Sequence, residues 1–223
     1  KIRNTLRFLL GNLHNFDKQN LIIPDEMPEL ERYLLTRISN LNEKLKELVS
    51  RHDYHTIYTA LLNFCTLELS AFYFDIRKDS LYCDDIKSIK RRSTSTCLHI
   101  IFEFLTKWLS PIVSFTCEEA WKSRSYSNEE SILLQNVKDD EFTYKDISLE
   151  KVFEELKRVR KSVTSALELK RNEKLIGSSL QAKVILFLSK DTQKIIADLD
   201  LAEMCIVSNV ETHDISNRSA ESF

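Results

Sequence analysis

The stretch Lys1-Ile-Arg-Asn-Thr-Leu-Arg-Phe-Leu-Leu-Gly11 sets the pattern that the rest of the chain follows. Apolar side chains recur in it, and just after it, at the spacing of an amphipathic helix. They are Ile2, Leu6, Leu9, Leu10 and Leu13. A stripe of this kind has to be buried, so we expect this helix to pack against other helices.

The face opposite this stripe carries Asn4, Arg7, Phe8 and Gly11. Phe8 has two interpretations: it belongs to the core of a helix that buries two faces, or it is a stacking platform beside phosphate-binding arginines, which suits RNA loops with unstacked bases. A glycine within a helix costs about 1 kcal/mol relative to alanine, which is understandable if another group approaches the backbone closely. The candidate binding residues in this helix are Arg3, Asn4, Arg7 and Phe8.

Composition favours a mainly α-helical protein. The 223 residues include only two glycines and three prolines, and this depletion favours long helices with few tight turns over strands and hairpins. With 32 Lys and Arg against 34 Asp and Glu, the net charge is -2, so nucleic-acid binding would need a local basic patch. Five cysteines without a C-x-x-C pair predict reduced thiols and no zinc site within this chain.

The chain has no targeting segment and no apolar run approaching about 18 residues, which predicts a cytoplasmic protein with no membrane partner. The helical pattern is already under way at Ile2, without a preceding cap and without an initiator methionine. We therefore expect that further sequence normally precedes this piece.

Apolar periodicity predicts a helical bundle over residues 1–123. Its second helix begins near Pro28, a residue tolerated at the first helical position, and Glu29 and Glu31 are placed near the positive end of the helix dipole. Further helices are expected over residues 54–76, 85–109 and 112–121. The last of these should be capped by Ser110 and Pro111.

Two more places in the bundle are candidate binding sites. Lys78 and Tyr82, where the central helix ends, would hold a phosphate and a stacked base or ribose, or they form an ordinary helix exit with a cation at the negative end of the dipole. Arg91 and Arg92 belong to the densest basic cluster of the chain. They are either phosphate contacts or part of a solvated surface.

After a connection over residues 124–147, rich in Ser, Asn and Glu, the sequence predicts a small α+β domain over 148–213. It should contain a helix that stops at Gly177, a strand over 181–188, a short helix over 191–199 and a second strand over 205–210. Residues 214–223 are predicted to be a loose polar tail. The fold class is therefore a helical bundle followed by a small α+β junction.

The stretch from Lys1 to Leu13 resembles the opening helix of the anticodon-binding domain of bacterial-type isoleucyl-tRNA synthetases, which are class I aminoacyl-tRNA synthetases. Other stretches resemble that domain in the same order: Asp53-Tyr-His-Thr-Ile-Tyr-Thr-Ala-Leu-Leu-Asn-Phe64, Ser70-Ala-Phe-Tyr-Phe-Asp75, Lys78-Asp79, Leu81-Tyr82, Ser110-Pro-Ile112, Glu118-Glu-Ala-Trp121, Ala166-Leu-Glu168 and Ile176-Gly-Ser-Ser-Leu180. Gly11 and the Ile176-Gly-Ser-Ser motif favour the isoleucyl type over the valyl or leucyl type.

This resemblance implies that the chain binds the anticodon stem-loop of an isoleucine-acceptor tRNA and positions it for aminoacylation. The remaining synthetase domains would be its other partners. The parent would be an ATP-dependent isoleucine-tRNA ligase that uses ATP with Mg²⁺ and a structural zinc. The H-I-G-H and K-M-S-K-S signatures of class I catalysis are absent from this chain, so no catalytic site and no cofactor are expected in it.

Two features depart from the family pattern. Ser80 stands where the family usually has an arginine, and the chain ends before the cysteine-rich zinc element that usually closes the bacterial enzyme. A hypothesis from a different class is a helical scaffold that binds protein partners and has no RNA role. Charge balance and amphipathic helices suit that hypothesis equally well, but the ordered series of motifs favours the first.

Overall fold

The computed structural model describes residues 1–125, 130–135 and 143–217. The chain divides into two compact units, 1–146 and 147–223. The first is helical, and the second combines helices with a two-stranded sheet, which confirms the predicted fold class. The predicted connection over 124–147 and the loose tail over 214–223 lie partly outside the described residues and stay predictions.

The helices of the 1–146 unit are α1 (Ile2–Asn12), α2 (Glu29–Ser50), α3 (Tyr54–Asn63), α4 (Phe74–Cys83), α5 (Ile89–Leu109) and α6 (Ser114–Lys122). A π-helical segment, Phe64–Tyr73, joins α3 to α4, so that the chain is helical from Tyr54 to Cys83. This long helix is central: α2 packs on its first part, α1 on its middle and α5 on its last part.

By length and composition, the helix from Tyr54 to Cys83 is apolar enough to cross a membrane. In this fold, however, one row of its side chains is buried in the core of the bundle, and other apolar side chains such as Leu67 are exposed. The buried members of one row are Ile57, Leu61, Cys65, Leu69, Tyr73, Arg77 and Leu81. Packing against three other helices therefore accounts for the buried apolar row of this segment.

Helix starts in the bundle follow side-chain caps where these exist. The Asp53 carboxylate accepts the Thr56 N–H at 3.1 Å, and the Ser88 hydroxyl accepts the Arg91 N–H at 3.2 Å, so α5 begins at Ile89 and not at residue 85. The predicted cap at Ser110 is wrong. Its hydroxyl donates to the Lys107 carbonyl at 2.9 Å, within the last turn of α5, and α6 begins only at Ser114.

The environment of Glu31 differs more from the prediction than that of any other residue discussed in the bundle. Its side chain is fully buried, and its carboxylate does not serve the helix dipole at the surface. Arg77, only 1% exposed, donates to both of its oxygens at 2.6 and 2.7 Å, and the hydroxyls of Tyr73 and Thr94 donate at 3.1 and 3.2 Å. Burial, followed by the Glu31 charge, raises the pKa of Tyr73 well above its ordinary value, so the phenol remains a donor.

The 147–223 unit contains α7 (Ile147–Asn172), β1 (Lys183–Leu188), α8 (Lys190–Ile195), α9 (Leu201–Cys205) and β2 (Asn209–Asp214). The two strands are parallel, with Lys183 opposite Asn209 and Leu188 opposite Asp214. Parallel strands need a crossover, which α8 and α9 supply, and both helices pack on α7.

Several boundaries in this unit differ from the prediction. The first strand begins at Lys183, the short helix ends at Ile195, and the second strand extends to Asp214. Helix α7 ends at Asn172, because Lys174 adopts a left-handed φ of 59° and the Leu175 N–H returns to the Lys170 carbonyl at 3.0 Å. The second strand begins at Asn209, since Cys205 and Val207, assigned to its start, are buried within and just after α9.

Candidate nucleic-acid interface

Two clefts in the 1–146 unit meet at the C-terminal end of α1. The first, which we call the α5 cleft, has a volume of 680 Å³ and is lined by Gly11, Asn12, His14, Asn15, Phe16, Asp17, Asn20, Leu81, Tyr82, Ile86, Lys87, Arg91, Arg92 and Ser95. The second, the α6 cleft, has a volume of 600 Å³ and is lined by Arg3, Leu6, Arg7, Leu10, Gly11, His14, Thr116, Glu119, Ala120 and Ser123. Gly11 and His14 are common to both.

The α5 cleft brings together three of the residues predicted from sequence. Tyr82, at the end of α4, is 65% exposed. Arg91 donates from Nη1 to the Asp84 carbonyl at 2.6 Å, which caps the end of α4, and Arg92 donates from Nη2 to the Asn20 carbonyl at 3.3 Å. The buried Nε of Arg92 has no acceptor within the described part of the chain. An aromatic ring thus lies in the same cleft as two guanidinium groups.

The α6 cleft holds two more predicted residues, Arg3 and Arg7, both exposed on α1. Arg3 pairs with Glu119 at 2.8 Å, and the two side chains are 59% and 60% exposed. An ion pair that exposed is worth about 0–1 kcal/mol, so an incoming phosphate competes for Arg3 at little cost.

Asn4, Phe8 and Lys78 line neither cleft. Asn4 is exposed, and Lys78 pairs with Asp75 at 3.0 Å on the surface of α4. The half-buried ring of Phe8 stacks on buried Phe74, with ring centroids 4.3 Å apart and an interplanar angle of 22°. Phe8 therefore contacts the core while part of its ring stays accessible, and contact of these three residues with RNA stays a prediction.

Sequence reasoning overlooked several polar residues of the α5 cleft. Asn12, Asn15 and Asn20 contribute amides to it, and Lys87 contributes a further cation. A signal for two of them was present, because Asn12 and Asn15 continue the helical spacing of Phe8 and Gly11 beyond the quoted stretch. Lys87 belongs to the same basic cluster as Arg91 and Arg92, whereas nothing in the periodicity indicated Asn20, which ends a short 3-10 turn between α1 and α2.

Ser80, where an arginine is usual in the resembling family, is buried, and its hydroxyl donates to the Asp84 carboxylate at 2.6 Å. It offers no cation to the cleft. The cysteines Cys65, Cys97, Cys117 and Cys205 are buried, whereas Cys83 is exposed. Burial raises the pKa of Cys65 to about 11 and that of Cys117 to about 12. Within the described ranges, no three His, Cys, Asp or Glu side chains form a metal site.

His99 stacks on Phe16, a residue of the α5 cleft, with ring centroids 4.8 Å apart. Burial lowers the pKa of His99 from 6.5 to about 4, and the cations Lys18, Arg124 and Lys107 contribute to the shift. The unfolded chain therefore binds a proton near pH 6 that the folded chain does not bind. The stability of the folded chain with neutral His99 is therefore fully present above pH 6.5 and is progressively lost as the pH falls towards 4.

We expect His99→Gln to lose less stability than the parent chain between pH 7 and pH 5. Urea unfolding at both pH values measures the difference, and the exposed His52→Gln serves as the matched control, which should follow the parent. Equal losses in His99→Gln and in the parent would contradict the assignment of this pH dependence to His99.

The family model for the anticodon-binding domain of tRNA ligases matches residues 31–186, which contain most of the bundle and the start of the second unit. The isoleucine–tRNA ligase of Pelagibacter ubique is 45% identical over 216 residues, or 96% of this chain and 24% of the relative. That of Bradyrhizobium diazoefficiens is 40% identical over 224 residues, or 100% of this chain and 22% of the relative.

The isoleucine–tRNA ligase of Gluconobacter oxydans is 40% identical over 212 residues, or 95% of this chain and 22% of the relative. The chain thus spans about a quarter or less of the length of these relatives. These matches confirm the resemblance drawn from the ordered motifs. The chain belongs to the family of anticodon-binding domains of tRNA ligases.

Proposed function

We propose that the chain binds the anticodon stem-loop of an isoleucine-acceptor tRNA and positions that tRNA for aminoacylation by domains outside it. The observation that carries this proposal is the α5 cleft, in which Tyr82, Arg91 and Arg92 lie together beside the end of α1. A single-stranded loop displays unstacked bases, which an exposed aromatic ring can stack on, while guanidinium groups bind the flanking phosphates.

The parent activity is then that of an ATP-dependent isoleucine–tRNA ligase, with this chain supplying RNA binding and the other domains supplying catalysis. ATP with Mg²⁺ and a structural zinc would be held by those other domains. The proposed compartment is the cytoplasm. The amino-acid specificity follows the relatives, all three of which are named isoleucine–tRNA ligases.

Replacing Arg91 and Arg92 together with glutamine tests the proposal. Removal of one arginine–phosphate interaction lowers the dependence of log K on log salt by about 0.7 for single-stranded RNA, so the double variant should lose about 1.4 units of slope. Fluorescence anisotropy of labelled anticodon stem-loop RNA, titrated at several salt concentrations, measures it. Binding of other tRNAs should weaken about equally, since phosphates carry no sequence information.

The matched control is Lys44→Gln with Lys46→Gln, which removes the same charge from exposed positions on α2 outside both clefts. It should leave the slope nearly unchanged. An equal fall in salt slope in both double variants would show that the fall comes from the overall charge of the chain. Arg91 and Arg92 would then not contact the RNA. Absence of salt-dependent RNA binding by the parent chain would favour the protein-binding scaffold instead.

A further inference from the structure

We infer that Gly11 keeps the boundary between the α5 cleft and the α6 cleft free of any side chain, so that one single-stranded RNA segment crosses α1 there and occupies both clefts. This inference rests on the proposed function and deepens it. It assigns to one residue a role in leaving room for the strand, a role that neither charge nor hydrogen bonding supplies.

The fold itself does not require glycine at position 11. Gly11 lies within α1, and its φ is not positive, so an L side chain meets no backbone strain. A Cβ added there would meet no atom of the described residues within 4 Å, apart from its chain neighbours and the nearby backbone of α1 itself. Glycine costs about 1 kcal/mol relative to alanine in a helix interior, and part of that cost applies to Gly11, which lies in the last turn of α1. Glycine at this position therefore lowers the stability of α1, and no contact within the fold offsets that loss. This indicates that a bound ligand uses the space beside Gly11.

The position of Gly11 explains why a bound ligand would benefit from the missing side chain. Gly11 and His14 are the residues shared by the two clefts, and Gly11 is exposed. Any side chain at position 11 would project into open space where the clefts meet. Volumes of 680 and 600 Å³ each lie within the range of about 300–1,000 Å³ that holds a drug-sized group, which is the scale of a splayed nucleotide and not of a duplex.

Charge indicates that the occupant is a polyanion. The α5 cleft presents three cations and one carboxylate, namely Lys87, Arg91, Arg92 and Asp17. The α6 cleft presents two cations and one carboxylate, namely Arg3, Arg7 and Glu119. Cations on both sides of the boundary match phosphates spaced along a strand, and the asparagine amides of the α5 cleft are suited to base edges. A small anion would need only one cleft.

Gly11→Leu tests the inference with an uncharged change. The variant should fold at least as stably as the parent, because leucine is a better helix former. Its affinity for anticodon stem-loop RNA should fall about tenfold or more. The salt slope should also fall, by about 1.4. RNA confined to one cleft by the leucine would no longer place phosphates against the two arginines of the other cleft. A merely local steric effect would leave that slope unchanged.

Two controls accompany it. Gly11→Ala adds only a Cβ and should raise the melting temperature with a smaller loss of affinity, whereas Thr59→Leu places the same leucine on an exposed face of α3 outside both clefts and should bind normally. Gly11→Gln repeats the test with a polar side chain of similar length. It should lose affinity and slope as the leucine variant does.

A parent chain that binds RNA, together with Gly11→Leu and Gly11→Gln variants of unchanged affinity and slope, would overturn the inference and leave the proposed function intact. A parent chain without salt-dependent RNA binding would overturn the proposed function itself. Normal slope with weakened affinity in both variants would place the RNA in one cleft only, which also overturns the inference.

Discussion

Arg77→Met should destabilise the 1–146 unit by about 3–5 kcal/mol, because it leaves the buried Glu31 carboxylate without its cation. Methionine fills much of the volume of the arginine stem, so the loss comes from the stranded charge and not from a cavity. Both tryptophans, Trp108 and Trp121, lie in this unit. Tryptophan fluorescence during urea unfolding therefore reports on this unit.

Two further variants separate this effect from general damage. Arg51→Met breaks an exposed pair with Glu47 and should change the free energy of unfolding by about 1 kcal/mol at most. Glu31→Gln combined with Arg77→Met removes the stranded charge, and it should be more stable than Arg77→Met alone. A double variant less stable than the single one would show that the carboxylate charge is not the source of the loss.

The second large effect should come from Phe8→Ala. Loss of a half-buried ring stacked on Phe74 should cost about 2–3 kcal/mol of stability, less than the 3–5 kcal/mol typical of a fully buried phenylalanine. If the accessible part of the ring also stacks on a base, RNA binding should weaken by about 1–3 kcal/mol when measured where the variant is folded. Urea unfolding and anisotropy titration give the two values.

Phe8→Leu keeps an apolar side chain against Phe74 but removes the ring. It should retain most of the stability while its RNA affinity falls nearly as far as that of Phe8→Ala, so it isolates stacking from packing. Phe115→Ala is the control for an aromatic side chain outside the core, since Phe115 is 94% exposed. Normal RNA affinity in folded Phe8→Ala and Phe8→Leu would exclude Phe8 from the interface.

Periodicity predicted the elements whose stability comes from one apolar stripe. The stripes of α1 and α2 identified those helices, and scarce glycine and proline identified the fold class. Element ends were predicted less well, because they depend on which of several neighbouring polar groups makes the cap. Ser110 and Ser88 are the same residue type before a helical pattern, yet only Ser88 caps the helix that follows.

The candidate site was predicted in part for a similar reason. The side-chain chemistry of Tyr82, Arg91 and Arg92 identified them as candidate binding residues. That they line one cleft depends on how α4 and α5 pack against the end of α1. The partnership of Glu31 with Arg77 joins positions far apart in sequence, and a carboxylate in the first turn of a helix resembles an ordinary dipole contact. Long-range pairing of this kind leaves no periodic signal.

The π-helical segment Phe64–Tyr73 has a consequence for register. The buried row that runs from Ile57 to Leu81 repeats every fourth residue. In a continuous α-helix, a step of four residues overshoots a full turn by about 40°, and over this row the excess would reach about 240°. A π-helix has more residues per turn and corrects the phase. Its wider turns keep Arg77 facing Glu31 and Tyr82 facing the cleft, so loss of one residue here would rotate α4 and misdirect both.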